Sequence, residues 1–534
     1  MVKLALILGI YSYLILALGL LGGLYRLPVF IVSLPFIVLL VFWLRKNLYF
    51  LNHLEWLKRE AKKDKLVGLV LGVLIIQAVV NFLGAVSPEL SFDALWYHLT
   101  PVKLYVQNHQ IFHIPGWLLS VASTPRLTEM FYTVSLLFGN EILAKLIHFS
   151  FGLLSAVALF RLLRRYLDLR FSFLGVAVFY TMLIVGWQST TAYVELSRTF
   201  FEILALDFFL QWVETKKASF LLEAAVLTGL AISAKILAFG TLFTFLILII
   251  ILKKRGFFWP FLKFAGLAVL VVSPWLFLAW VNTGNPLFPL FGGPKDPTNF
   301  IVSPDLNWII DRFTKMPLYL WNSTLYPDDI ISPVYLIFLP LILIFIWRQK
   351  FSIKIAAAYV VLGVFFAPAN SNRYLLPYLP GLTLVVMSVF NDKWGKNGWV
   401  RNFLIFIILF AVLLNLGSRV LATRKFVPYL LRRETKAEFL TNHLNFSFGD
   451  FYDVDGFFAR NIKKTDLVLV YGVHNLYYLD FPYIHESWAR PGTYFTHILV
   501  GDNQPLPEKF GERLLIYKNL KTGVRLYLFG EKYQ

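Results

Sequence analysis

Thirteen mostly apolar runs follow one another along the chain, at 2–24, 27–44, 66–86, 141–160, 171–187, 197–213, 218–234, 236–252, 257–280, 333–347, 355–368, 374–390 and 403–421. A helix rises about 1.5 Å per residue and a bilayer's hydrocarbon core is roughly 30 Å thick, so the longer runs predict transmembrane helices and the shorter ones tilted or re-entrant segments. After residue 421 the pattern changes. Residues 430–444 carry a helical period, while 466–472, 495–501, 513–518 and 524–530 read as strands, the last two joined by the turn-like Asn519-Leu-Lys-Thr-Gly523. The expected fold class is an all-α polytopic membrane protein of about 13 transmembrane helices with a small C-terminal α/β domain. The chain divides into two N-terminal helices with a basic hairpin (1–65), a transmembrane domain with long loops at 87–130 and 282–332 (66–421), and a soluble domain (422–534).

Composition supports this reading. Of the 534 residues, 58% are hydrophobic and only 15% charged, which excludes an ordinary soluble enzyme. The net charge of +19 is mostly topological: alternate loops, beginning with 45–65, hold 22 Lys and Arg, and the opposite set holds 9. Basic loops resist translocation, so the N-terminus is expected in the cytoplasm and the 422–534 domain outside it. Nucleic acid is therefore not an expected partner. Membrane lipids are, above all for the basic hairpin. With no cysteine, disulfides, thiolate nucleophiles and iron–sulfur clusters are excluded.

Polar residues placed against cost in loops and spans mark the candidate chemistry. Asp93 and Tyr97 are four residues apart in the 87–130 loop, a spacing that puts both on one helix face, with His98 beside them. Asp93 is either a general base at the membrane surface or the cap of that helix. Glu195 and Arg198 open the sixth span and either serve a substrate or pair with each other. Lys235 lies between two spans and Arg373 ahead of another, where each either holds a phosphate or anchors to headgroups. Two carboxylates with several cations on one side of a membrane fit the binding of a lipid phosphate and deprotonation of an acceptor.

These residues carry a resemblance. Asp93-x-x-x-Tyr97-His98-x-x-Pro101-x-Lys103, then Pro125-Arg126-x-x-Glu129 and Leu-Leu-Phe-Gly139-Asn-Glu141, are followed in order by four further motifs. These are Ala192-Tyr-Val-Glu195, Gly229-Leu-Ala-x-x-x-Lys235, Thr283-Gly-Asn-Pro-Leu-Phe-Pro289 and Asn372-Arg-Tyr-Leu-Leu-Pro377. Over about 66–390 the chain resembles the polyprenyl-phosphate-sugar-dependent glycosyltransferases of the GT-C superfamily, especially the bacterial protein-mannosyltransferase-like and aminoarabinose-transferase-like members. The resemblance implies a GT-C-like fold in a plasma (inner) membrane. It also implies an inverting sugar transfer from a polyprenyl-phosphate donor to a glycan, lipid or protein acceptor on the extracytoplasmic face. Asp93 and Glu195 match the two catalytic acids. Lys235 and Arg373 match the donor-phosphate cations, and Tyr97, His98, Lys103, Arg126, Glu129 and Arg198 are expected to contact substrate. Two departures stand out: the second acid is usually Asp, and two helices here precede the usual first one.

No cofactor is expected, because the donor already carries its phosphate. A divalent metal would have to use His98, His109 and His113, of which His109 and His113 have helical ligand spacing but no carboxylate at a matching offset, or the Asp328-Asp329 pair, which reads rather as a solvated loop pair. The rival reading is a transporter or flippase of a lipid-linked sugar, working through the mid-span acids Glu202, Asp207 and Glu223. A third is a scaffold without catalysis. The 282–332 loop reads as a lid or as a short helix at 305–315.

Overall fold

The computed structural model describes residues 1–47, 50–293, 306–310, 312, 314, 331–368, 371–394 and 398–533. Most of the 282–332 loop and the Asp328-Asp329 pair lie outside that set, although residues 306–310 are helical.

The structure is a helical bundle carrying a small sheet domain. Among the described residues, seven helices are long and apolar enough to cross a membrane: Val2–Leu20, Arg26–Trp43, Lys65–Ala85, Glu141–Arg164, Ile236–Lys253, Phe258–Thr283 and Gly398–Leu430. Shorter apolar helices fill the bundle, including Leu169–Tyr180, Ala218–Ala234, Phe351–Phe366 and Leu379–Asp392. The expected 171–187 span is two helices, Leu169–Tyr180 and Leu183–Gln188, separated by Thr181 and Met182. The 45–65 hairpin contains the amphipathic helix Phe50–Lys63, and Asp64 caps the next helix through the backbone amides of Leu66 and Val67.

At the centre lies Glu195–Thr215, almost wholly buried against Glu141–Arg164 and Ala218–Ala234. Its buried mid-helix charges are paired, one within the helix and one with a neighbour. Arg198 donates from Nε to Glu202 at 2.6 Å, Tyr359 donates to the other Glu202 oxygen at 3.2 Å, and Asp207 meets Arg165 Nε at 2.7 Å. Ala218–Ala234 in turn packs on Phe258–Thr283. At Gly229 a Cβ would stand 2.7 Å from the Ala268 carbonyl oxygen, so this crossing requires glycine.

The 87–130 loop is more ordered than its sequence predicts. It holds a π-turn at Ala94–His98 and helices at Leu99–Gln107 and Leu127–Phe138. The apolar face of the first turn, Ala94, Leu95 and Leu99, packs with Tyr132 and Tyr193 and with Phe439, Leu440, Tyr477 and Tyr478 of the C-terminal domain.

That domain contains a five-stranded sheet in the order β2-β1-β3-β5-β4, formed by β1 (Val468–Tyr471), β2 (Tyr483–His485), β3 (Tyr494–Val500), β4 (Leu515–Lys518) and β5 (Arg525–Lys532). β1 is parallel to β2 and β3, while β5 is antiparallel to β3 and β4. The four expected strands are present. β2, only three residues long, had no alternation to reveal it. The predicted 430–444 helix is shorter, Lys436–His443, set by the Thr435/Glu438 capping box.

Candidate active site

Four charged residues from four separate segments meet at the end of the bundle that carries the C-terminal domain. Asp93 comes from the residue ahead of the π-turn, a geometry frequent at functional sites. Its carboxylate makes no capping bond. Instead, one oxygen, Oδ2, accepts the Tyr97 hydroxyl at 2.6 Å and lies 2.5 Å from Arg373 Nη1. Burial, then the Asp93 charge, pushes the Tyr97 hydroxyl well above its ordinary pKa, so Tyr97 stays a donor.

Glu195 is the first residue of its helix, ahead of the apolar run 197–213. An acid is favoured there by the helix dipole, and its Oε2 accepts the Val194 amide at 3.2 Å. Its Oε1 accepts from Lys235 Nζ and lies 3.8 Å from Arg373 Nε. Burial alone would raise this carboxyl, but the charges of Lys235, Arg373 and His98 outweigh it and hold Glu195 well below the usual carboxylate range. Lys235 reaches the cluster because its extended backbone breaks the chain between Ala218–Ala234 and the 3-10 turn Ile236–Ala238. Arg373 sits in the 3-10 turn Asn372–Tyr374. Its guanidinium lies 5.3 Å from the Tyr193 ring centroid and 5.0 Å from that of Tyr374, and Lys235 lies 5.2 Å from the latter. The aromatic faces hold both cations in place.

A second buried set supports the first. His98 Nδ1 is 2.8 Å from Glu129 Oε1, and Arg126 is 3.5 Å from that oxygen while donating to the Tyr97 carbonyl at 2.6 Å. His98, Arg126 and Glu129 therefore brace the turn that carries Tyr97. Two expected substrate-contacting residues stand apart. Lys103 donates to the carbonyls of Tyr477 and Leu479 and to Asp480 at 2.7–2.8 Å, tying the loop to the C-terminal domain. Arg198 points along its helix to Glu202 and does not pair with Glu195.

Sequence reasoning missed four contributors. Tyr193 accepts the Asp93 amide on its hydroxyl at 3.2 Å, and Tyr374 accepts from Arg373 Nη2 at 3.0 Å. Glu89 accepts the amides of Leu90, Ser91 and Ala192, which locks the Asp93 loop to the segment before Glu195. His148 accepts the Leu196 amide on Nε2 at 3.0 Å, so Nδ1 carries the proton it shares with the Thr191 carbonyl at 2.9 Å. Tyr193 and Tyr374 lie inside two of the quoted motifs, a usable signal. Glu89 and His148 had none. Among the described residues no group of three His, Asp or Glu side chains is placed to hold a metal ion.

No family model and no curated relative matches the chain. Solved structures do. ArnT from Cupriavidus metallidurans bound to undecaprenyl phosphate superposes with a TM-score of 0.54 at 13% identity, covering 86% of this chain and 98% of ArnT. The apo state of the same protein gives 0.57 at 12% identity, with 87% and 98% covered. The Archaeoglobus fulgidus oligosaccharyltransferase, in complex with Zn and sulfate, matches at a TM-score of 0.42 and 12% identity over 80% of this chain and 67% of the other. Across nearly the whole length of ArnT, then, this chain shares the fold of ArnT.

Proposed function

We propose that the protein is a membrane glycosyltransferase that moves a sugar from a polyprenyl-phosphate donor to an acceptor on the extracytoplasmic face, with inversion. The observation that carries this reading is the convergence of Asp93, Glu195, Lys235 and Arg373 within one buried cluster, in the fold of a protein seen bound to undecaprenyl phosphate. In the reaction, the acceptor's oxygen or nitrogen attacks the anomeric carbon, whose bond to the phosphate oxygen breaks. The polyprenyl phosphate leaves with that electron pair, and the acceptor's proton passes to Asp93. Arg373 and Lys235 hold the phosphate and stabilise the charge that grows on it, the differential interaction that lowers a barrier. Glu195 keeps both cations in register when the site is empty.

The orientation follows from the charge asymmetry of the loops, with the cluster and the C-terminal domain outside the cytoplasm. Because two cations already face the donor phosphate, turnover is expected to survive chelators. Loss with EDTA and recovery with Mg²⁺ would overturn this point. The flippase reading has less support: Glu202 and Asp207 are each tied to an arginine. The deciding experiment offers a panel of polyprenyl-phosphate sugars to the purified protein. Consumption of one donor by wild type but not by Asp93→Asn supports the transferase. Binding of a donor with no consumption, even with a panel of acceptors present, favours the flippase.

A further inference from the structure

A cavity of about 320 Å³ lies beside the active-site cluster without including any of its four charged residues; Pro88, Glu89, Lys145, Trp187, Arg419 and Lys425 are among its lining. Three cations and one carboxylate face it. Lys145 is 1% exposed and Arg419 6%, so both have given up most of their hydration, and a buried charge is costly unless it is paired. Neither has an acidic partner. Lys145 donates to the backbone carbonyls of Ser87 at 2.6 Å and Pro88 at 3.1 Å. Arg419 donates from Nε to Asn81 at 3.3 Å and from Nη2 to Thr190 at 3.0 Å. Lys425 lies 5.2 Å from the centroid of the Phe426 ring. Among the described residues, no carboxylate comes within ion-pairing distance of any of the three.

Glu89, a single carboxylate already holding three backbone amides, offsets them only in part. Its Oε1 accepts the amides of Leu90 at 2.9 Å and Ser91 at 2.8 Å, and its Oε2 accepts that of Ala192 at 2.6 Å. The cavity therefore keeps an excess of positive charge, with a guanidinium fork still partly open and an ammonium donor to spare. That donor set matches a phosphate, which takes several charge-assisted hydrogen bonds.

The surroundings say what carries the phosphate. Arg419 stands near the end of the last long helix, whose exposed side presents Leu413, Leu414, Val420 and Leu421. Ala422 and Phe426 continue this apolar character to the cavity wall, with Leu183 and Trp187 across from them. An amphiphile seated here would lay its chains along the apolar helix and its headgroup among the cations. We propose that this cavity binds the phosphate of a lipid, at a second site separate from the Asp93–Arg373 cluster. The two sites are mechanically joined, since Glu89 lines the cavity and also clamps the amide of Ala192, three residues before Glu195.

The test uses the full chain in phosphatidylcholine nanodiscs, with phosphatidic acid as the probe and native mass spectrometry to count retained lipid. An Arg373→Gln parent weakens phosphate binding at the active site, so that retention at the second site is read apart from the transferase reading. This parent should still retain one phosphatidic acid. Adding Arg419→Gln and Lys425→Gln together should lower retention at least tenfold, and Lys425→Gln alone, at an exposed side chain, at least threefold. Millimolar inorganic phosphate separates the two sources of the group. Displacement of the lipid by it would show that the phosphate alone is recognised, and resistance to it would show that the acyl chains contribute. Equal retention in the parent and in variants that melt at the parent's temperature would overturn the proposal.

Discussion

Arg373 Nη1 and the Tyr97 hydroxyl converge on the same oxygen of Asp93, Oδ2, at 2.5 and 2.6 Å. Among the described residues no donor bonds to Oδ1. The carboxylate is thus held in a fixed plane with one oxygen available to an acceptor's proton. Asp93→Asn keeps the shape but removes the base, and turnover should fall by about 10²–10⁴-fold, the range of general-base catalysis. Donor binding and melting temperature should stay near wild type. Steady-state assay with the consumed donor checks this, and near-normal turnover would remove Asp93 from the mechanism.

On the proposed reading, Arg373 would serve the donor through a planar fork that lies over the rings of Tyr193 and Tyr374. Lysine keeps the charge and loses both the fork and the stacking. Arg373→Lys should therefore raise the donor KM by roughly tenfold and Arg373→Gln by roughly a hundredfold, consistent with about 1.5–3 kcal/mol for a charge-assisted contact. Equal donor affinity in all three proteins would place the phosphate elsewhere.

The Arg198–Glu202 pair tests structure apart from chemistry. Both side chains are buried, 2% and 0% exposed. Removing one partner from such a pair costs about 3–5 kcal/mol, because the other charge is left uncompensated. Arg198→Met is expected to lower the melting temperature sharply. The double variant Arg198→Met, Glu202→Leu should recover most of it with little change in donor KM. A raised KM in a stable double variant would return Arg198 to the substrate site.

In the C-terminal domain, burial pushes the Asp450 carboxyl up to about 6, against the lowering effect of the hydrogen bonds from Asn475 and the Asn445 amide. A carboxyl whose folded pKa lies above its unfolded value of 3.8 contributes stability below pH 3.8, which is lost as pH rises through about 6. The swing is about 3 kcal/mol. Relative to Asp450→Asn, wild type should gain stability between pH 7 and pH 4.5. Thermal melts of both proteins across that window check it, and a difference that does not vary with pH would contradict the assignment.

Much of this architecture was legible because a bilayer demands long apolar runs and a half-buried strand demands alternation. Val2–Leu20, Lys65–Ala85 and Gly398–Thr423 follow from composition alone. The Leu127–Phe138 helix was hidden because Thr128, Glu129, Thr133 and Ser135, all buried and all bonded within the fold, make its sequence look like a loop. The candidate-site residues stood out as polar groups in expensive places, yet their partners could not be read. Arg198 sits three residues from Glu195 and pairs with Glu202. Lys103 shares a motif with Asp93 and binds Asp480. Each choice is made by packing between distant segments, which local spacing does not record.

The contacts that seat the C-terminal domain reach the loop bearing Asp93. Tyr478 donates to the Glu89 carbonyl at 2.9 Å, Lys436 meets Glu141 at 2.5 Å, and Lys103 grips the backbone around Leu479. Lys436, Tyr478 and Leu479, the C-terminal partners in these contacts, leave the ribosome after every helix of the bundle. A nascent chain can therefore have all its spans in the bilayer and still lack a braced Asp93. On the proposed topology, competence for chemistry would then wait for the folding of the 422–534 domain on the far side of the membrane. The order of synthesis would itself keep a half-made protein from acting on its donor.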